Sequence, residues 1–148
     1  MEWAALIAWI ATAGGGFVML AIWLSRGGMN QAREGGSRIR PPLILGHFLL
    51  AATGLVIWII YVANNSDSLA WVAFVILAIV AALGWTMFAI WYQRRQRGRT
   101  AATGVTGEPG SSDTPPEQHF PVSIVALHGL LAVTTLVLVF LTAVGVGD

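Results

Sequence analysis

Cysteine and lysine are both missing from this 148-residue chain, and charge of either sign is scarce. Without cysteine there are no disulfides, thiolate metal sites, iron–sulfur clusters or covalent CxxCH haem attachments. Without lysine, all eight basic residues are arginines. Charged residues make up 10% of the chain against 56% apolar residues, whereas soluble domains carry about 25% charged residues. The four long apolar stretches, 3–24, 43–63, 69–92 and 122–144, hold no carboxylate. That leaves no proton relay for a transporter, and four helices alone rarely enclose a pathway. Ser123, the one serine within those stretches, has no acidic partner there, which argues against hydrolase chemistry.

Each stretch is long enough to cross a hydrocarbon core of about 30 Å at a rise of about 1.5 Å per residue. The runs are continuously apolar rather than alternating, so helices are expected and a β-barrel is not. Pro41, Pro42 and Pro121 stand where helices would begin. Trp3, Trp23, Trp58, Tyr61, Trp71, Trp91 and Tyr92 gather toward the ends, as interfacial aromatic belts do. The first stretch lacks a basic leader, and its Ala11–Gly16 tract imitates a signal cleavage site; its match to the third stretch argues that it is retained.

The arginines orient the chain. Arg26, Arg33, Arg38 and Arg40 lie between the first two stretches, and Arg94, Arg95, Arg97 and Arg99 follow the third. The positive-inside rule makes both loops cytoplasmic and both termini external, and a bacterial inner membrane is the expected location. Arginines beside a bilayer favour anionic lipid headgroups over nucleic acid. The first loop, 25–40, is rich in Gly and Arg with little to pack, and 98–118 reads as a flexible linker of Thr, Gly, Ser and Pro.

The second half of the chain echoes the first. Moving 3–26 forward by 68 positions lays it on 71–94 with nine of 24 residues identical: Trp3/Trp71, Ala5/Ala73, Ala13/Ala81, Gly16/Gly84, Met19/Met87, Ala21/Ala89, Ile22/Ile90, Trp23/Trp91 and Arg26/Arg94. A second match aligns HFLLAATGLV, from His47, with HGLLAVTTLV, from His128. A duplicated hairpin tends to fold about a pseudo-twofold axis. The expected fold is therefore an all-α integral membrane protein: a single membrane domain, 1–148, forming a four-helix up-down bundle of two tandem repeated hairpins.

In such a bundle the second and fourth spans are diagonal, so His47 and His128, the two histidines inside spans, face each other across the core. Counted from Pro42 and Pro121, they lie roughly 8 and 10 Å below the cytoplasmic surface. Gly54 lies on the face of His47. Met19 and Met87, each seven residues short of a boundary arginine, reach a similar depth, with Gly16 and Gly84 one turn further in. These residues suit a b-type haem: His47 and His128 as axial ligands, small residues and methionines against the ring, and Arg26, Arg40 and Arg94 at the rim for the propionates. With both axial positions filled, electron transfer is the function left. Two imidazoles and two thioethers would also accept cuprous copper. A cofactor-free scaffold or accessory subunit is the main alternative, ahead of copper, with the histidines bonding backbone carbonyls and the small residues serving helix contacts. His119, beside Phe120 and Pro121, reads as interfacial, and Thr53 and Thr134 as bonding back to helix carbonyls.

The pattern resembles the four-helix membrane cytochromes b, in which histidines of facing helices clamp haem inside the bundle. The HxLLAxTxLV wording of both halves is also similar to uncharacterised small four-span bacterial membrane proteins. The first resemblance implies haem b and exchange of electrons with quinol or a redox protein. Because this chain has two such histidines, both near one face, it further implies a homo-oligomer or a place in a larger membrane complex rather than transfer across the bilayer.

Overall fold

The computed structural model describes residues 1–35, 37, 39–103 and 115–146, with side chains described outside 98–103. Five α-helices account for most of them: α1 (Glu2–Ser25), α2 (Gly28–Arg33), α3 (Pro41–Asn64), α4 (Asp67–Thr103) and α5 (Val122–Ala143). A 3₁₀ turn, Pro116–His119, precedes α5, and no strand occurs among the described residues. Four helices, α1, α3, α4 and α5, are long and apolar enough to cross a membrane. Large apolar side chains such as Ile7, Phe17, Leu49, Ile79 and Leu130 stand exposed along them. Those rows suit contact with lipid, where outward apolar residues cost nothing.

Local chemistry sets the helix ends. Pro41 and Pro42 open α3, where a missing N–H is harmless. Asn65, at φ 51°, closes α3 in the left-handed region, and its N–H donates to the Tyr61 carbonyl at 2.7 Å. Two residues then separate α3 from α4. A link that short makes the two helices antiparallel neighbours.

Helix α1 packs on α3 and α5, and α4 packs on the same two, which leaves α3 diagonal to α5 and α1 diagonal to α4. The buried apolar core comprises Ala5 and Trp9 of α1, Trp58 and Tyr61 of α3, Ala70, Ala73, Leu77 and Val80 of α4, and Val139 of α5. All of these belong to the half of the bundle that holds the start of α1 and the end of α5. Trp58 Nε1 ties that end together by donating to the Glu2 carbonyl at 3.3 Å. Gly54 admits the Trp9 ring to this core: a Cβ there would lie 3.0 Å from Trp9 and 3.1 Å from Ile76. Gly54→Val is expected to destabilise the bundle by about 1–3 kcal/mol through overpacking. A lowered midpoint of thermal unfolding in detergent, followed by circular dichroism, would show it; an unchanged midpoint would remove Gly54 from the core.

The opposite, arginine-bearing end is more structured than its composition promises. The loop expected to have little to pack contains α2, and Gly28 lies so close to the Trp23 indole that a Cβ would fall 2.3 Å from the ring. Helix α4 continues to Thr103 and so takes in the first six residues of the stretch read as linker from Gly98. At the far end of that stretch, Pro116 and Glu117 are buried against α1, α2 and α4. The remainder of the linker, 104–114, lies outside the described residues, as does Arg38. Glu117, fully buried, accepts a hydrogen bond from Ser37 Oγ at 3.0 Å.

Candidate functional site: a histidine pair in the bundle

The diagonal packing of α3 and α5 brings His47 and His128 together, with ring centroids 6.4 Å apart and ring planes inclined at 58°. Each ring is anchored on the neighbouring helix. His47 Nδ1 lies 3.0 Å from the Val80 carbonyl of α4, and His128 Nδ1 lies 2.9 Å from the Thr12 carbonyl of α1. A carbonyl only accepts, so both contacts place the proton on Nδ1 and leave Nε2 as the unprotonated nitrogen. The free lone pair of each ring is therefore Nε2, the atom that a metal takes.

Glycine makes room for both rings. A Cβ on Gly84 would lie 3.3 Å from His47 Cε1, and one on Gly16 would lie 3.3 Å from His128 Cε1. Gly15 adds a contact, its Cβ position lying 3.4 Å from His128 Cβ. Thr12 and Val80 are 68 positions apart, as are Gly16 and Gly84, so the contacts of the two histidines fall on matched positions of the sequence. Thr12, Val80 and Gly15 escape sequence reasoning. The first two contribute only backbone oxygens, which no side chain announces, although both stand one turn before a matched glycine.

The inward stripe of α1 runs Ala5, Trp9, Thr12, Gly16, Met19, Trp23, and that of α4 runs Ala73, Leu77, Val80, Gly84, Met87, Trp91, with steps of four and three residues. Burial along both stripes changes at the histidines. Ala5, Trp9, Ala73, Leu77 and Val80 are buried, Gly16, Met19, Gly84 and Met87 are half-buried, and Trp23 and Trp91 are buried again. The tightly packed core thus ends at the depth of the imidazoles. Looser packing follows for about two turns and is closed by two indoles.

No protein-family model, curated protein or solved structure matches the chain.

The rim residues separate. Arg40 and Arg94 join Arg97 and Ser37 in lining a cavity of ≈ 430 Å³, whereas Arg26 is exposed at the end of α1 and does not line it. Gly54 sits in the Trp9 core, away from the glycines that touch the histidines. Among the described residues no cluster of three or more His, Cys, Asp or Glu groups forms, so His47 and His128 stand as a pair. His119 is half-buried in the 3₁₀ turn, with its Nδ1 buried and unpartnered. Thr53 and Thr134 donate to the Leu49 and Leu130 carbonyls at 2.8 and 3.0 Å, the local role expected of them.

Proposed function

We propose that this chain is a membrane haem-b protein that transfers electrons, with His47 and His128 as the axial ligands. The observation that carries the proposal is the separation of the two rings. Metal–nitrogen bonds of about 2.0–2.1 Å on opposite sides of one ion, made through Nε2, put imidazole centroids about 6.3 Å apart; here they are 6.4 Å apart. The carbonyls of Val80 and Thr12 supply the outer hydrogen bonds that fix a ligating histidine's tautomer and orientation. The half-buried zone at Gly16, Met19, Gly84 and Met87 is where the ring would lie, and its duplication between the halves supports a pseudo-twofold pair of hairpins about the iron.

Bound there, haem would supply a one-electron couple. The chain's part is to hold both imidazoles, keep the pocket apolar and set the depth. Both axial positions would be filled by protein, which directs the site to outer-sphere electron exchange rather than oxygen binding. The arginine-bearing end is cytoplasmic in this reading, with both termini outside a bacterial inner membrane. Quinol or a cytoplasmic-side redox protein is the proposed partner, within a homo-oligomer or larger membrane complex.

Absorption of detergent-purified protein, as isolated and after haem addition, tests this reading. A Soret band with a sharp α band on reduction is expected. Colourless protein that takes up no added haem would overturn it. Met19→Leu and Met87→Leu separate haem from copper: on the haem reading both variants keep the spectrum with little loss of affinity. Retention of cuprous copper by the parent protein, lost in those variants, would assign the site to copper instead.

A further inference from the structure

All of the buried side-chain nitrogens and oxygens left without a hydrogen-bond partner among the described residues lie at one end of the bundle. They are Trp23 Nε1, Gln31 Oε1, Trp91 Nε1, Arg94 Nε and His119 Nδ1. Three of these are obligate donors, and two of the donors are matched: Trp23 and Trp91 are 68 positions apart, 1% and 5% exposed, on α1 and on α4. A buried indole N–H without an acceptor is unusual. Two of them at equivalent places in diagonal helices call for a ligand with two equivalent acceptors.

Their position narrows the choice. Each tryptophan lies seven residues beyond the glycine that touches a histidine, about 10 Å further along the same stripe. In a helix the Cα–Cβ bonds tilt toward the N-terminus, which for α1 and α4 is the direction of the histidines. One face of each indole is already covered: Gly28 packs against Trp23, and the Arg95 guanidinium lies 5.6 Å from the centre of the Trp91 ring. Arg94, one turn past Trp91, adds its unpartnered Nε and a positive charge at the same end. The carboxylate of Glu117 accepts from Ser37.

We infer that Trp23 and Trp91 are the two carboxylate-binding donors of the cofactor site, each indole N–H taking one propionate of the haem, with Arg94 offsetting one of their two negative charges. The inference rests on the haem reading above. A porphyrin carries its two propionates on one edge, on either side of an in-plane axis. If that axis coincides with the pseudo-twofold of the bundle, the two imidazoles take the two faces of the ring and α1 and α4 take its two propionates. The ring would enter with its acidic edge toward the arginines.

The test compares haem with haem dimethyl ester, which keeps the ring and iron but has no ionised carboxylate, in the parent protein and in Trp23→Phe, Trp91→Phe and the double variant. Haem is expected to bind the parent at least roughly tenfold more tightly than the ester, since charge-assisted hydrogen bonds are strong. Each single variant should shrink that preference, and the double variant should nearly erase it, while the bis-imidazole spectrum stays unchanged throughout. Resonance Raman bands of the propionates should shift in each single variant. If the double variant keeps the parent's full preference and its propionate bands, the assignment is wrong although the haem reading stands. If the parent takes up neither compound, the haem reading itself fails, and this assignment with it. Phenylalanine keeps an aromatic ring in place, and helix content measured on the cofactor-free variants separates lost folding from lost binding.

Discussion

Replacing either His47 or His128 with alanine is expected to abolish six-coordinate low-spin haem. On the haem reading each ring would supply one of the two axial nitrogens, the ring centroids being 6.4 Å apart, and no third histidine lies within the four spans. Loss of an outer hydrogen-bond partner of a ligating histidine typically costs about 10–100-fold in metal affinity, and loss of the ligand itself should exceed that. Any haem retained should be five-coordinate and should bind carbon monoxide, which the parent should not. The folding cost is small by comparison. Each alanine removes one bond to a carbonyl, from Val80 or Thr12, and interhelical hydrogen bonds in membranes are worth about 0.6–2 kcal/mol. Variants that retain helix content but lose the Soret band would match this expectation. Glutamine makes the contrast sharper: it keeps a hydrogen bond but does not hold iron, so a scaffold would tolerate it and a haem site would not.

Gly84→Val should come close to the histidine substitutions in effect without touching a ligand. The first added carbon would sit 3.3 Å from His47 Cε1, and the two methyl groups of valine extend further toward the ring. Overpacking of this sort costs about 1–3 kcal/mol, and the imidazole has a direct way to relieve it by leaving the Val80 carbonyl and tilting. Gly84→Ala is a graded control. Its single carbon meets a contact that must give by a few tenths of an ångström, while alanine gains about 1 kcal/mol of helix propensity over glycine. Near-parent stability with a modest fall in haem affinity is expected for alanine, and a large fall for valine. Titration of both variants with haem in detergent measures the two values. Equal affinities for parent, alanine and valine would mean that the ring does not need the space glycine leaves.

The spans are legible in the sequence because continuous apolar runs of this length have one stable solution in lipid, and the prolines and Asn65 punctuate them. The pairing of His47 with His128 follows from the diagonal relation of the second and fourth spans. What holds each ring is less visible. Thr12 and Val80 meet the rings through carbonyl oxygens, and backbone atoms impose no residue type; the Thr12 hydroxyl bonds Thr135 instead. Gly54, placed by sequence on the histidine face, serves Trp9 instead, because a glycine looks the same whether it admits a cofactor, an imidazole or an indole. Composition also misleads at the arginine-bearing end. Glu117 sits in a stretch of Pro, Ser and Thr, yet it is buried, and Ser37, 80 positions away, donates to its carboxylate. Pairings over that distance have no local pattern to betray them.

Low-temperature electron paramagnetic resonance of the oxidised, haem-loaded protein tests most directly whether one iron sits between the two imidazoles. A low-spin ferric signal of the bis-histidine kind, converted to high spin or lost in His47→Ala and in His128→Ala alike, is the predicted result. A high-spin signal in the parent, or a low-spin signal that survives either substitution, would contradict it.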